Sequence, residues 1–403
     1  MLGRGVEASA RDVVADPWGS FVFLTLVRSF GVALASVLLT LIAVPAQADS
    51  ALFQSPTQYP GLPGLGHGAV VIGDFNGDGS PDLAVVDLAA GGVRVLLNRG
   101  HGNFAPAGFY PTGAGAAAVT AADFTGHRHI DLVVANMLDS TVVLLTNRGD
   151  GTFTRGATYP TSRLPGRILS GDFNGDGRPD LAIATSAPTD NVVVLLNQGG
   201  GRFVHSQTLT VGIGLNLIGL VASMDTADVN GDHRPDLLVA DQLRGVVVLI
   251  GRGDGTFTRG AILAIRLFES PAVGDVNHDG IVDVAIPDTF RNSVSVFLGR
   301  GDDTFAPPIV STVNLHPGLP PTLTPEAAIA DFNGDGDPDL IVSGGTDRMV
   351  HIMLGDGTGQ FTTTENYPAQ IARTIVVDDF NHDGRPDLAI TQALGGTEVL
   401  LHN

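Results

Sequence analysis

The stretch that decides the fold is Asp74–Asp82, DFNGDGSPD, because its pattern D-x-N-x-D-G-x-x-D recurs along the chain. Further full copies begin at Asp172, Asp275, Asp331 and Asp379, a near-copy at Asp228 and a degenerate copy at Asp123. Successive first aspartates are 49, 49, 56, 47, 56 and 48 residues apart, so one unit occurs seven times. A unit of this length cannot bury its apolar face alone, and neighbouring units must therefore stack.

Short apolar segments surround each acidic loop, and the first unit gives their order. Ala69–Ile72 leads into the loop, and Leu83–Val86, Val93–Leu97 and Phe104–Tyr110 follow as further strands. Short Val/Leu/Ile runs separated by Gly- and Pro-containing turns favour strands over helices. Four-stranded antiparallel sheets that pack radially leave only short, protected edges. We therefore predict an all-β fold, a seven-bladed β-propeller of four-stranded antiparallel blades over residues 49–403.

The two ends of the chain predict how the ring closes. The spacing Phe-x5-Tyr-Pro occurs at residues 104–111, 153–160 and 361–368, and once more at residues 53–60, before the first acidic loop. The C-terminus, Glu398–Asn403, stops just after a third strand. The N-terminal segment is therefore expected to supply the fourth strand of the last blade. We interpret all seven phenylalanines at this position as core residues of the blade junctions: Phe53, Phe104, Phe153, Phe203, Phe257, Phe305 and Phe361.

The first 48 residues differ from the repeats. Arg28 precedes the uncharged apolar run Gly31–Val44, and Ala46-Gln47-Ala48 has the small residues of a signal-peptidase site. We predict a signal peptide at residues 1–48 and a secreted bacterial protein that is extracellular, at the cell surface or in the periplasm, with no membrane span after cleavage. The alternative is an uncleaved anchor that includes Phe21–Val27, although a run interrupted by an arginine makes a poorer span.

Composition excludes several partners and sites. The net charge is −20 at pH 7, whereas a nucleic-acid-binding protein needs a basic surface. The chain has no cysteine, so it offers neither a disulfide nor a thiolate metal site. We recognise no oligomerisation helix and expect a monomer. A cation is the natural counterpart of the repeated aspartates.

Each acidic loop is a candidate calcium site. Three carboxylates within nine residues repel one another unless a cation holds them, and oxygen donors at positions 1, 3, 5 and 9 suit Ca²⁺. Glycine at position 6 permits the sharp turn. An EF-hand is excluded, because position 12 of the first loop is Val85, inside a predicted strand. The 50-residue period also excludes paired dockerin loops. The remaining alternative is that the loops are only Asp/Asn/Gly turns.

We predict Ca²⁺ as a structural cofactor at about six sites, with the residue at position 7 contributing its backbone carbonyl. The predicted ligands are Asp74, Asn76, Asp78, Ser80 and Asp82; Asp172, Asn174, Asp176, Arg178 and Asp180; Asp228, Asn230, Asp232, Arg234 and Asp236; Asp275, Asn277, Asp279, Ile281 and Asp283; Asp331, Asn333, Asp335, Asp337 and Asp339; and Asp379, Asn381, Asp383, Arg385 and Asp387.

Two loops depart from the pattern. In the Asp123 loop, DFTGHRHID, Thr125 and His127 replace the ligands at positions 3 and 5, so we expect no calcium there. In the Asp228 loop His233 replaces the glycine, and because a non-glycine residue resists positive φ, we expect weaker binding.

With these loops, the strands of DLAV type that follow them, and the GDGTF segments Gly149–Phe153 and Gly253–Phe257, the chain resembles the FG-GAP/VCBS repeat family, which includes the integrin α-subunit propeller. The resemblance covers about residues 51–403. It implies the propeller fold and calcium binding, but it is weak for function, since the family includes adhesion receptors, lectin-like proteins and accessory domains of enzymes. By the same resemblance, ligands are expected on the face opposite the calcium loops.

The connections Val211–Thr226 and Pro307–Pro325 account for the two long steps between repeats and should protrude from that opposite face. The alternative is neutral variation in loop length. Three Arg-Gly-Asp triplets, which begin at Arg148, Arg252 and Arg300, are interpreted as turn residues rather than as integrin ligands.

The leading functional hypothesis is an extracellular binding or adhesion module for a protein or glycan. A polysaccharide lyase or hydrolase is the alternative from another class, although the chain lacks G-x-S-x-G, H-E-x-x-H and a cysteine nucleophile, so we assign no catalytic residue and do not expect an enzyme. Carboxylate pairs for glycoside cleavage stay open. A lectin is the third possibility, but its usual exposed aromatic platforms are missing, because Trp18 precedes the repeats and the four tyrosines share one structural position.

Overall fold

The computed structural model describes residues 51–59, 67–187, 191–212, 223–241, 245–263, 270–288, 291–312, 326–343, 348–369, 372–392 and 395–403. In these ranges it contains 28 strands, which form seven four-stranded antiparallel sheets. The predicted seven-bladed propeller is confirmed. The predicted signal peptide and most of the connections 211–226 and 307–325 lie outside the described residues. In the described part of the chain no helix is long and apolar enough to cross a membrane.

Each blade runs from an inner first strand to an outer fourth strand. The first strands are β2 (His67–Gly73), β6 (Ala116–Ala122), β10 (Arg163–Gly171), β14 (Met224–Ala227), β18 (Ala272–Gly274), β22 (Ala327–Ala330) and β26 (Ala372–Asp378). The second strands are β3 (Asp82–Asp87), β7 (Asp131–Asn136), β11 (Asp180–Ala187), β15 (Asp236–Asp241), β19 (Asp283–Asp288), β23 (Asp339–Ser343) and β27 (Asp387–Gln392).

The third and fourth strands complete the blades. The third strands are β4 (Gly92–Asn98), β8 (Thr141–Asn147), β12 (Asn191–Asn197), β16 (Gly245–Gly251), β20 (Ser293–Phe297), β24 (Met349–Gly355) and β28 (Thr397–Leu400). The fourth strands are β5 (Phe104–Pro111), β9 (Phe153–Pro160), β13 (Phe203–Thr210), β17 (Phe257–Leu263), β21 (Ile309–Thr312), β25 (Phe361–Pro368) and, for the last blade, β1 (Thr57–Tyr59).

The second and third strands form the core of each blade, which explains their continuous apolar sequences. Every residue of β3 and β7 is buried, because sheets pack on both faces of these strands. The first strands contact one another in cyclic order, from β2 through β6, β10, β14, β18, β22 and β26 back to β2. They therefore line the centre of the ring.

An ion pair joins two blades that are not neighbours in the ring. Arg167 on β10 forms an ion pair with Glu326, which precedes β22, so the pair joins blade 3 to blade 6. Burial lowers the pKa of Arg167 to about 10, with a further decrease from Arg373 that the nearby Asp225 opposes. This ion pair is a direct link between opposite sides of the ring.

Ring closure occurs as predicted. Strand β1 pairs antiparallel with β28, with Gln58 opposite Glu398, and Phe53 forms a bridge with His402. The backbone N–H of Gln54 also donates to the carbonyl of Leu401 at 2.8 Å. The last blade is thus built from both ends of the repeat region.

The junction phenylalanines behave as core residues, as predicted, with one exception. Phe153 is 6% exposed and packs edge-on against Phe75, the second residue of the acidic loop in the preceding blade, with 5.6 Å between ring centroids. Phe203 and Phe257 meet Phe124 and Phe173 in the same way. Phe305, in blade 5, is only partly buried.

Candidate metal centres in the acidic loops

The first aspartate of each loop organises the backbone around it. Asp74 accepts hydrogen bonds from the backbone N–H groups of Gly77 at 2.7 Å, Asp78 at 3.1 Å and Gly79 at 2.9 Å. A carboxylate at this position therefore satisfies donors that the tight turn leaves without backbone partners. The degenerate loop keeps this arrangement, since Asp123 accepts from residues 126, 127 and 128.

Positions 3 and 5 lie beside each other on the exposed side of the loop. The Asn76 side-chain amide donates to Asp78 Oδ2 at 2.9 Å, and Asn76 Oδ1 accepts from the Asp78 backbone at 2.8 Å. Slight burial acts to raise the pKa of Asp78, but hydrogen bonds from Ser80 and Asn76 outweigh it and lower that pKa. The same amide-to-carboxylate contact occurs in the loops that begin at Asp172, Asp275, Asp331 and Asp379.

The ninth-position aspartate is buried in all seven loops, with no exposed surface. Asp82 Oδ2 accepts from the backbone of Phe75 at 2.9 Å, and Oδ1 accepts from the backbone of Asn98, at the end of the third strand, at 2.7 Å. One carboxylate thus ties the loop to the third strand. The same aspartate in the other loops is Asp131, Asp180, Asp236, Asp283, Asp339 and Asp387.

Burial raises the pKa of this carboxylate. For Asp82 the value is about 6, because desolvation, together with the charges of Asp78 and Asp74, exceeds the opposing effect of the backbone hydrogen bonds. Burial likewise raises the pKa values of Asp180, Asp236, Asp283 and Asp387 to about 6. The three carboxylates of a loop therefore feel each other's charge, as a cation site requires.

Neighbouring loops are in contact around the ring. The carbonyl of Phe75 accepts from the Gly151 backbone and from the Asn147 side chain of the next blade, both at 2.9 Å. This places each acidic loop beside the turn between the third and fourth strands of the following blade, on the same face, as predicted. His278 also reaches Asp337 of the next loop at 2.9 Å.

The backbone needs two residues with positive φ in each loop, at positions 4 and 6. In the first loop these are Gly77 at 78° and Gly79 at 86°. His233, at position 6 of the Asp228 loop, adopts 63°, so that loop keeps its shape despite the missing glycine. We predicted the requirement at position 6 and missed the one at position 4, where His278 and His382 adopt 61° and 63°.

In the second loop, two of the predicted calcium ligands are missing, and one of the residues in their place forms a hydrogen bond within the loop. The Thr125 hydroxyl donates to Asp131 Oδ2 at 2.7 Å. Thr125 and His127 stand where the other loops carry an asparagine and an exposed aspartate. Asp123 and Asp131 are its only carboxylates. Asp131 Oδ2 therefore accepts two hydrogen bonds, from the backbone and the hydroxyl of Thr125.

The donor chemistry of the six other loops fits a hard divalent cation. Each offers at least three carboxylates, an amide oxygen and backbone carbonyls. In the first loop each carboxylate oxygen of Asp78 and Asp82 accepts one hydrogen bond and retains a second lone pair, whereas Asp74 Oδ1 already accepts two. In the described residues no three Asp, Glu or His side chains already converge on one point, since they are turned towards backbone N–H groups. In two loops an arginine competes, because Arg178 and Arg234 pair with the position-5 aspartates Asp176 and Asp232.

The Arg-Gly-Asp segments are turns in this structure. Asp150 Oδ1 accepts from both the backbone and the hydroxyl of Thr152, at 2.9 and 2.6 Å. Asp254 and Asp302 make the same pair of bonds with Thr256 and Thr304. These contacts fix each carboxylate within its own turn.

The repeat itself matches a known family model, described as the FG-GAP-like repeat. The matches cover residues 74–134, 123–183, 172–239, 228–286, 275–342 and 331–390, and each begins at the first aspartate of an acidic loop. The chain belongs to the FG-GAP-like repeat family. No curated protein matches the sequence of this FG-GAP repeat protein significantly.

Solved structures share the fold of this FG-GAP repeat propeller at low sequence identity. BBS1N, in complex with ARL6DN, is 12% identical with a TM-score of 0.59, and the match covers 87% of this chain and 97% of that one. An Agrocybe aegerita lectin, whose structure concerns recognition of non-reducing terminal N-acetylglucosamine, is 21% identical with a TM-score of 0.52, covering 75% and 80%. A functionally unknown protein from Desulfotomaculum acetoxidans is 14% identical with a TM-score of 0.51, covering 75% and 86%.

Proposed function

We propose that this FG-GAP repeat protein is a secreted, calcium-stabilised propeller that acts outside the cell as a binding or adhesion module for a protein or glycan. The observation that carries the proposal is the set of six loops with the same oxygen donors, all on one face of the ring. Calcium would be held by Asp74, Asn76, Asp78, Ser80 and Asp82, and by their equivalents in the five other loops. Bound ions would offset the repulsion among each loop's carboxylates.

The expected effect on stability is large. With a dissociation constant of roughly 0.1 mM and about 1 mM free calcium, each site adds roughly 1.4 kcal/mol to the free energy of unfolding. Six independent sites would add about 8 kcal/mol, which is comparable to the whole stability of an ordinary domain. The ions would therefore decide whether the ring is folded at elevated temperature.

Thermal unfolding of residues 49–403 in calcium and in excess EGTA, together with metal quantification, tests the calcium assignment. We expect a large drop in melting temperature in EGTA and close to six bound ions. Asp172→Ala should remove one ion and part of the calcium effect. The matched variant Asp123→Ala, which changes the same position of the second loop, should leave the ion count unchanged. Absence of bound metal and of a calcium effect would reduce the loops to ordinary turns.

Binding, rather than catalysis, is supported by the fold and by the structural role of the aspartates, which accept hydrogen bonds within their own loops and turns. The propeller resembles a lectin in architecture, so glycans that end in N-acetylglucosamine belong in the first screen. A glycan array probed with the calcium-loaded protein should give specific hits if the partner is a glycan. Hits that are consumed during the incubation would favour the alternative, a polysaccharide lyase or hydrolase.

A further inference from the structure

Four blade junctions share a tyrosine that fills the space between adjacent outer strands. Each ring packs edge-on against the junction phenylalanine of the next blade, with centroid distances of 5.3 to 5.6 Å. The pairs are Tyr59 with Phe104, Tyr110 with Phe153, Tyr159 with Phe203, and Tyr367 with Phe53. Two of the hydroxyl groups also donate to the turn of the next blade, at the carbonyls of Gly102 and Gly201.

Two junctions without tyrosine use a polar side chain instead. Between blades 3 and 4, Gln207 accepts from the Phe257 backbone at 2.7 Å and donates to the Phe257 carbonyl at 3.2 Å. Between blades 5 and 6, the Ser311 hydroxyl accepts from the Phe361 backbone at 2.9 Å. At these junctions a side chain of the preceding blade is therefore hydrogen-bonded to the phenylalanine backbone.

The junction between blades 4 and 5 has no tyrosine. Leu263 stands at the tyrosine position, six residues after Phe257, and a groove of about 450 Å³ lies between it and Phe305. Its walls are mainly apolar, with Ile262, Phe297 and Pro308 among them, and Arg300 also lines it. Among the described residues, no blade 4 side chain hydrogen-bonds to the Phe305 backbone as Gln207 and Ser311 do at their junctions.

A second substitution distinguishes this junction from four of the others. Asp303, with φ of 65°, replaces the glycine that approaches the preceding blade elsewhere. At Gly102, Gly151, Gly201 and Gly255 a Cβ atom would lie only 2.5 to 2.9 Å from a leucine of the preceding blade. The Asp303 side chain therefore needs extra space between blades 4 and 5, and its Oδ1 is buried there without a hydrogen-bond partner.

The contents of the other junctions indicate what fits the groove. An aromatic ring fits beside Phe305 by the same edge-on contact that four tyrosines make. The volume is in the range of small-molecule sites. Arg300 is a cation on a protein of net charge −20, and its planar guanidinium can bind a carboxylate through two parallel hydrogen bonds.

We propose that the groove between Leu263, Arg300 and Phe305 binds a small aromatic carboxylate. The ring lies in the groove beside Leu263 and Phe305 and makes with Phe305 the edge-on contact that tyrosine makes at four other junctions, and the carboxylate lies on Arg300. Arg300 and Phe305 belong to the turn that lies beside the Asp228 loop, but none of the residues that line the groove is a predicted calcium ligand.

Isothermal titration calorimetry with 4-hydroxyphenylacetate tests the proposal, with cyclohexylacetate as the non-aromatic comparison. We expect binding of the aromatic acid in the micromolar to millimolar range and at least tenfold weaker binding of the comparison. Leu263→Tyr copies the other junctions. It should abolish the binding and raise the melting temperature by a few degrees. Arg300→Gln should weaken binding at least tenfold.

Leu209→Tyr is the matched control, because it makes the same change at the junction where Gln207 is hydrogen-bonded to the Phe257 backbone. This variant should bind like the unaltered protein. No binding to the unaltered protein, or unchanged affinity in both Leu263→Tyr and Arg300→Gln, would overturn the proposal. If Leu263→Tyr does not fold, Arg300→Gln and the cyclohexylacetate comparison decide the question.

Discussion

At the scale of the residue, the ninth-position aspartate has a role that calcium does not explain. It is fully buried in every loop, including the second loop, which lacks the calcium pattern. In both Asp82 and Asp131 the two carboxylate oxygens accept backbone N–H groups from the loop and from the end of the third strand. The residue is therefore a structural clamp in all blades and a candidate metal ligand in six.

These two roles can be separated by substitution. Asp131→Asn places an amide donor against a backbone N–H and should lower the free energy of unfolding by about 1–3 kcal/mol, equally with and without calcium. Asp82→Asn should cause a similar loss in EGTA and a larger one in calcium. Urea unfolding of both variants in the two conditions measures the difference. Equal calcium dependence in the two variants would contradict the assignment of the Asp82 loop as a metal site.

The raised pKa values predict a pH dependence in the calcium-free protein. Five of these carboxylates have folded-state pKa values of about 6, above the value of 3.8 expected without burial. Between these two values the folded protein binds more protons than the unfolded chain, so stability should fall as pH rises through 6. Metal-depleted protein should therefore have a higher urea midpoint at pH 5.5 than at pH 7.5. A lower midpoint at pH 5.5 would contradict this assignment of pKa values.

At the scale of the element, the short strand β1 contributes more than its three residues suggest. Phe53, just before it, is 2% exposed and packs edge-on against Phe332, Tyr367 and His402. The segment therefore joins blade 6 to blade 7 while its strand completes the last sheet.

Removal of the Phe53 ring should be among the costly single substitutions. Phe53→Ala should destabilise the protein by about 3–5 kcal/mol, because it leaves a cavity between two blades. Leu138→Ala, at a side chain that is 67% exposed, is the control and should change stability by less than about 0.5 kcal/mol. Denaturant unfolding measures both, and a Phe53→Ala loss as small as that of the control would argue against closure through this segment.

At this scale the sequence predicted much of the structure. The repeat period and the Phe-x5-Tyr-Pro spacing predicted the strands, their order and the closure, because each blade is a local unit with a repeated pattern. The contacts of Asn98, Asn147 and Asn197 with the preceding blade were missed. An asparagine at the end of the third strand was a visible signal, but only the packing of adjacent blades shows which carbonyl it meets.

At the scale of the whole molecule, the ion pair between Arg167 and Glu326 spans the ring from blade 3 to blade 6. No sequence pattern predicted it, because it departs from the repeat and depends on the diameter of the ring. Breaking one partner of a buried pair leaves an uncompensated charge, whereas replacing both with neutral groups removes that cost.

A double-mutant cycle tests this link. Arg167→Met alone should destabilise the protein by about 3 kcal/mol or less, since the side chain keeps some exposure to the centre of the ring. The double variant Arg167→Met/Glu326→Gln should recover part of that loss. Additive effects of the two single substitutions, measured by urea unfolding, would show that the two charges do not interact.

The pairing of β1 with β28 joins the first of the described strands to the last. Thr57 pairs with Val399 across almost the whole repeat region, so this contact closes a very long loop and we expect the last blade to form late in folding. Until then the seventh sheet lacks its outer strand, and the edge of β28 is unpaired. The protein is therefore easiest to unfold, to pass through a narrow pore or to cleave before β1 pairs with β28.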